Sequence, residues 1–175
     1  MRYWLILICT TLVISCSELD SQVTDSDHEH REGSGMVEVE VMTPALTRIE
    51  EFHGHIGPYV VLGYKMGLMA RDLLDSPGYF DMMVEVESPL IPPPSCLIDG
   101  IQLGSGCTTG KRNLAVVEGT IGKATFRTKK GKVVVLSLRP DIPDRVRKWI
   151  EEIGVDKSGK RILEAPAEEF IERLE

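Results

Sequence analysis

The stretch 114–138, LAVVEGTIGKATFRTKKGKVVVLSL, decides the fold class. It holds three β-rich runs, Leu114 to Glu118, Ala124 to Thr128 and Val133 to Leu138, separated by Gly119-Thr120-Ile121-Gly122 and by a turn at Lys130-Gly131. Short glycine-containing turns between such runs predict an antiparallel meander. Upstream, Met83 to Glu87 alternates apolar and acidic residues as a half-buried strand does.

The remaining periodic segments read as helices. Thr43-Pro44 looks like an N-cap followed by proline at the first helical position, with Leu46, Ile49 and Phe52 as the apolar stripe. Pro58 opens a second helix from Tyr59 to about Leu74, and Gly63 and Gly67, four apart on one face, predict close packing of another backbone. Pro92-Pro93-Pro94 predicts an extended segment ending at Ser95, which caps a short helix from Cys96 to about Leu103. Asp141 to Ile153 is amphipathic, with Val146, Trp149 and Ile150 inward, and Ala167 to Leu174 reads as a last helix. Helices and strands in this order give an α+β domain, an antiparallel sheet packed against helices, over residues 43–175.

The chain has 175 residues, 42% hydrophobic and 27% charged, with a formal charge of −7, the composition of one ordinary globular domain. Scattered basic residues and a net negative charge argue against a nonspecific grip on nucleic acid, which needs clustered Lys and Arg. The first sixteen residues differ sharply from the rest of the chain. Arg2 precedes an apolar run from Tyr3 to Ile14, too short to span a bilayer but suited to an export signal. Val13-Ile14-Ser15-Cys16 resembles the lipobox of prokaryotic lipoproteins, so Cys16 is expected to carry a lipid that holds an extracytoplasmic protein to the membrane; a secreted or signal-anchored chain is the alternative. Residues 17–42 are polar, acidic and rich in Ser and Gly, the composition of a tether, and His28 and His30 within it read as solvated side chains. Cys96 and Cys107 remain for the domain, and outside the cytoplasm such a pair invites a disulfide.

Three stretches could carry chemistry. In FHGHIGPY (52–59), His53 and His55 stand two apart, and on an extended loop both imidazoles could meet one metal or substrate; a hydrogen-bonded helix end is the plainer alternative. In PSCLIDGIQ (94–102), Cys96 sits in the first turn of a helix, where the dipole favours a thiolate, with Asp99 over the same face; a small buried side chain beside a capping carboxylate is the alternative. In GSGCTTGKRN (104–113), Arg112 stands where a nucleotide-binding loop needs Ser or Thr, so this is not a P-loop. Its backbone amides, with Thr108, Thr109 and Lys111, suit an anionic ligand or cofactor, unless Lys111 is simply a surface charge.

Taken together, FHGHIGPYVVLGYKMG, SCLIDGIQLGSGCTTGKRNL and VVVLSLRP resemble, in order and from about Thr43 to Trp149, the core domain of the FmdE family, which takes its name from a subunit of formylmethanofuran dehydrogenase. The resemblance implies an α+β core, often dimeric, whose motifs gather at an active or metal-binding site. His53 and His55 fall in the family's HGH motif, Cys96 and Asp99 in its Cys-x-x-Asp motif, and Cys107, Thr108 and Lys111 in its Gly-Cys-Thr-x-Gly-Lys motif. The chain departs from the pattern at Gly57, where the family stretch has a cysteine before the proline, and it lacks the zinc ribbon that many members append.

The leading expectation is an exported, membrane-held domain that binds a transition metal (zinc, nickel, copper or iron) through His53, His55 and Cys107, or a small anionic cofactor through Thr108, Thr109 and Lys111, accessory to one-carbon or methanogenesis-related redox metabolism. A second is a thiol enzyme using Cys96 or Cys107 with a histidine, with Asp99 and Lys111 assisting. A third is a non-catalytic accessory of a membrane redox complex.

Overall fold

Thr43 starts the domain as its sequence suggests. Its hydroxyl accepts from the Leu46 amide at 3.3 Å, and Pro44 opens α1, Pro44–His53. In the computed structural model the described residues are 43–175; the export segment and the acidic tether lie outside them. Leu46 and Ile49 of α1 are buried, but Phe52 is exposed because the helix stops one residue later at Gly54, in the left-handed region at φ 86°.

The chain then runs through α2 (Pro58–Leu74), a 3-10 turn (Tyr79–Asp81), β1 (Met82–Ser88), α3 (Cys96–Ser105), β2 (Leu114–Glu118), β3 (Lys123–Thr128), β4 (Val133–Leu138), α4 (Ile142–Ile153), α5 (Val155–Glu164), a second 3-10 turn (Ala167–Glu169) and β5 (Ile171–Arg173). The fold is α+β. Pro92 to Ser95 form a turn instead of an extended run, and Ser95, in helical conformation, makes no side-chain cap on α3.

The sheet corrects the expected meander. Its order is β2-β1-β3-β4-β5, with β1 inserted between β2 and β3 and running parallel to β2. Burial explains the insertion. Met82, Val84, Val86 and Ser88 of β1 all face the core, which suits a central strand, whereas only Leu114 of β2 is buried, which suits an edge. Two further differences lie near the C-terminus. Residues 155–164 form α5, and the expected helix at 167–174 is a 3-10 turn followed by β5, paired antiparallel to β4.

The core lies between the inner sheet face, with Val84, Phe126 and Leu136, and the helix pair α2 and α3, with Leu62, Met66, Leu97 and Ile101. That pair meets backbone to backbone. A Cβ on Gly63 would stand 2.0 Å from Leu97 O, and one on Gly100 1.9 Å from Val60 O. The glycines of α2 therefore pack as expected, and Gly100 and Gly104, also four apart, are their counterparts on α3. The contact fixes the start of α3 beside the end of α1.

Candidate functional site

The end of α1 brings His53 to the first turn of α3. His53 Nδ1 and Asp99 Oδ2 are 2.8 Å apart, with the histidine side chain only 10% exposed and the aspartate 39%. A carboxylate can only accept, so Nδ1 carries the proton and Nε2 is left with its lone pair. Nε2 is sealed from solvent and has no hydrogen-bond partner. An orphaned buried group of this kind costs about 1–3 kcal/mol, which marks a place prepared for something.

His55 is not on the extended loop predicted for it, because Gly54 ends the helix between the two histidines. The rings nevertheless meet, with centroids 4.7 Å apart and planes tilted by 37°. Both line a cavity of about 250 Å³ whose other walls include Tyr59, Pro93, Cys96, Ile150 and Val155. The loop between α1 and α2 is pinned from α5, where Asp156 accepts from the Ile56 amide at 3.2 Å and a Cβ on Gly159 would stand 2.0 Å from Ile56 O. Asp156 and Gly159 carry no signal in the sequence, since they belong to a helix without a broad apolar stripe.

Cys96 is half-buried, and burial, followed by the nearby Asp99 charge, pushes its thiol above the ordinary range. These outweigh the first-turn advantage expected for a thiolate. Cys107 is placed elsewhere. It follows the far end of α3, about 14 Å along the helix axis from Cys96 to Ser105, is completely buried, and its thiol donates to the carbonyls of Met82 at 3.4 Å and Tyr79 at 3.7 Å. Burial raises its pKa too, against smaller opposing effects of Ser105 and Lys111. Both cysteines are free thiols, and their separation exceeds the roughly 7 Å that a disulfide spans, so the disulfide expected from the sequence is corrected. The set His53, His55 and Cys107 is not brought together, and among the described residues no three His, Cys, Asp or Glu side chains stand ready around a metal ion.

The glycine-rich loop spends its amides on itself. Thr108 N donates to Asn113 Oδ1 at 3.0 Å, Lys111 N to Thr108 Oγ1 at 3.1 Å, Arg112 N to Thr109 O at 2.9 Å and Thr109 N to Gln102 Oε1 at 3.4 Å. Asn113 ties the loop to the carbonyls of Tyr79 and Met82, and Lys111 Nζ stands 6.0 Å from the Tyr79 ring centroid. Gln102, whose Nε2 lies 3.5 Å from Asp99 Oδ1, connects this loop to the His53–Asp99 pair. The Asp99-x-x-Gln102 spacing is its signal in the sequence.

A two-layer α+β domain with a carboxylate-held histidine facing an apolar-walled cavity defines a ligand-binding or catalytic module. The family described as FmdE, Molybdenum formylmethanofuran dehydrogenase operon, matches residues 52–174, and the chain belongs to this family. A protein of Archaeoglobus fulgidus named "Probable S-adenosyl-L-methionine-binding protein" is 32% identical over 142 residues, 76% of this chain and 36% of its own length. The chain thus spans about a third of that relative. The crystal structure of an FmdE-like protein of tungsten formylmethanofuran dehydrogenase from Syntrophus aciditrophicus matches with a TM-score of 0.55 and 23% identity, over 75% of this chain and 70% of that one, a likeness of fold.

Proposed function

We propose that this FmdE domain binds a transition-metal ion in the cavity at the head of α3, with His53 Nε2 and Cys96 as donors and His55 as a third after rotation of its side chain. The observation that carries the reading is the sealed, partnerless Nε2 of a histidine whose other nitrogen is held by Asp99. That is the arrangement in which a second-layer carboxylate fixes the tautomer and raises the basicity of a ligating imidazole. The donor set suits zinc or another borderline ion, and the bound ion would supply Lewis acidity. Cys96 would release its proton on binding, so affinity rises with pH. Calorimetric titration of the purified full chain with zinc, with S-adenosyl-L-methionine titrated in parallel because of the archaeal relative's name, tests this. One equivalent of zinc bound by the wild type and lost in His53→Ala is the expected result. No zinc binding, or binding unaffected by His53→Ala, refutes it.

A second reading, a thiol enzyme, is favoured by one observation: Cys96 lines the same cavity as the Asp99-held histidine. It requires His53 Nε2 to take the Cys96 proton, so alkylation of Cys96 near neutral pH should slow in His53→Ala. An unchanged rate sinks it. The protein's export and its anchoring through a lipid on Cys16 are also proposals, supported by the apolar run and lipobox-like sequence. Labelled palmitate incorporated by the wild type and not by Cys16→Ser would support them.

A further inference from the structure

Most tightly placed glycines of this domain face another backbone. A Cβ on Gly63, Gly67, Gly100, Gly104 or Gly159 would lie 1.9 to 2.6 Å from main-chain atoms of a neighbouring segment. Gly57 differs in both respects that matter. Its φ of −75° and ψ of 149° are ordinary for any L residue, so a side chain there is not strained. The nearest atoms to an added Cβ are Nε2 and Cδ2 of His55, at 2.9 and 3.3 Å. What fills the space is thus the end of a rotatable side chain on an exposed residue, and no main-chain atom stands in the way.

His55 therefore rests its imidazole in the volume that any side chain at position 57 would take. In that position no three donors converge on the cavity, although His53, His55 and Cys96 all line it. We propose that Gly57 sets the ligand selectivity of the site by parking His55 against the loop, so that the third donor joins His53 and Cys96 only when its ring leaves Gly57. This rests on the metal-binding reading given above. Parking acts as a population cost: a parked fraction of about 90% lowers the apparent affinity for an ion needing three protein donors about tenfold. A residue with a Cβ at 57 removes the parked state and commits the site to such ions, zinc in particular, whose sites usually hold at least three protein donors.

The test is Gly57→Ala in the full chain, read in two ways. Without metal, histidine-selective NMR follows the His55 ring protons, which sense the His53 ring 4.7 Å away. The His55 signal should move toward the position of a solvated histidine while the far-ultraviolet circular dichroism stays the same. With zinc, Gly57→Ala should bind about tenfold more tightly than the wild type, and adding His55→Ala should abolish the gain. An unmoved His55 signal, or a displaced His55 with unchanged zinc affinity, overturns the selectivity proposal alone. Zinc binding by neither protein overturns the metal-binding reading along with it, and the metal-free spectra still report whether His55 was parked.

Discussion

Asp99→Asn separates holding a ligand from holding the fold. The His53–Asp99 hydrogen bond is short, 2.8 Å, but the aspartate side chain is 39% exposed, so solvent screens the charge. A buried charge-assisted bond contributes about 1.5–3 kcal/mol; here we take about 1 kcal/mol or less, because asparagine keeps an acceptor oxygen for Nδ1. For a domain of this size that lowers the melting temperature by only about 2–4 °C. The effect on the ligand is larger. Loss of the carboxylate releases the tautomer that directs the Nε2 lone pair at the cavity and makes the imidazole a poorer donor, which costs about 10–100-fold in metal affinity. Zinc titration followed by calorimetry, with thermal melts of the same preparations, reads both quantities. Asp99→Ala should cost more stability than Asp99→Asn, since it strands Nδ1 in a site where the histidine is only 10% exposed. If Asp99→Asn binds zinc like the wild type while His53→Ala does not bind it, Asp99 does not position His53 and its orphaned nitrogen is not held ready by the carboxylate.

Three further outcomes rest on the packing. Gly100→Ala places a methyl 1.9 Å from Val60 O, where neither helix can give way cheaply; a loss of about 3 kcal/mol is expected in urea unfolding, and a loss below about 0.5 kcal/mol would refute the backbone contact. Iodoacetamide under native conditions should modify half-buried Cys96 slowly and leave Cys107 untouched until the protein unfolds; equal rates measured by mass spectrometry would contradict the burial. The raised Cys107 pKa makes the folded state hold this proton to higher pH than the unfolded chain does. Its stabilising share is therefore complete below the unfolded thiol's pKa near 8.5 and is lost as pH rises above it, so the fall in unfolding free energy from about pH 8.5 upward should be shallower in Cys107→Ala, and parallel curves would refute it.

Much of the architecture was legible because it is written locally. The Thr43 cap, the start of α2 at Pro58, the glycine spacing of that helix and the alternation of β1 are properties of short windows, and the structure shows each. The strand order was not legible, since alternation tells a strand which face is buried and says nothing about its neighbours. Helix α5 was missed because the residues it buries are Ser158, Gly159 and Ile162, two of them too small to register as an apolar stripe. Phe170, Ile171 and Leu174 misled in the opposite direction. Their spacing imitates one helical face, yet Ile171 pairs with Leu138 at the sheet edge and only Phe170 and Ile171 are buried. In the site, the sequence placed Cys96, Asp99 and the histidines on neighbouring segments but could not show that Gly54 turns the chain between the two rings.

The two motifs carried by α3 have different jobs, which bears on what the cavity can accept. GCTTGKRN contains the residues that most resemble an anion cradle, but a cradle needs free amides, and four of them here are already donating within the protein. Its cysteine is bonded into the core beneath β1, so its thiol serves packing. The loop reaches the His53–Asp99 pair only through Gln102, by bonds of 3.4 and 3.5 Å that can steady Asp99 without bringing Lys111 into the cavity. No lysine or arginine is among the residues lining the cavity beside His53, while Asp99 holds that histidine and Asp156 anchors the adjoining Ile56 amide. The local field there is set by carboxylates with no basic side chain on the walls, an arrangement that repels an anionic cofactor and attracts a cation. The small anionic ligand suggested by the sequence would thus have to bind away from the histidines, on a loop without the amides to hold it, whereas a metal ion would meet the partnerless nitrogen and the favourable field at the same place.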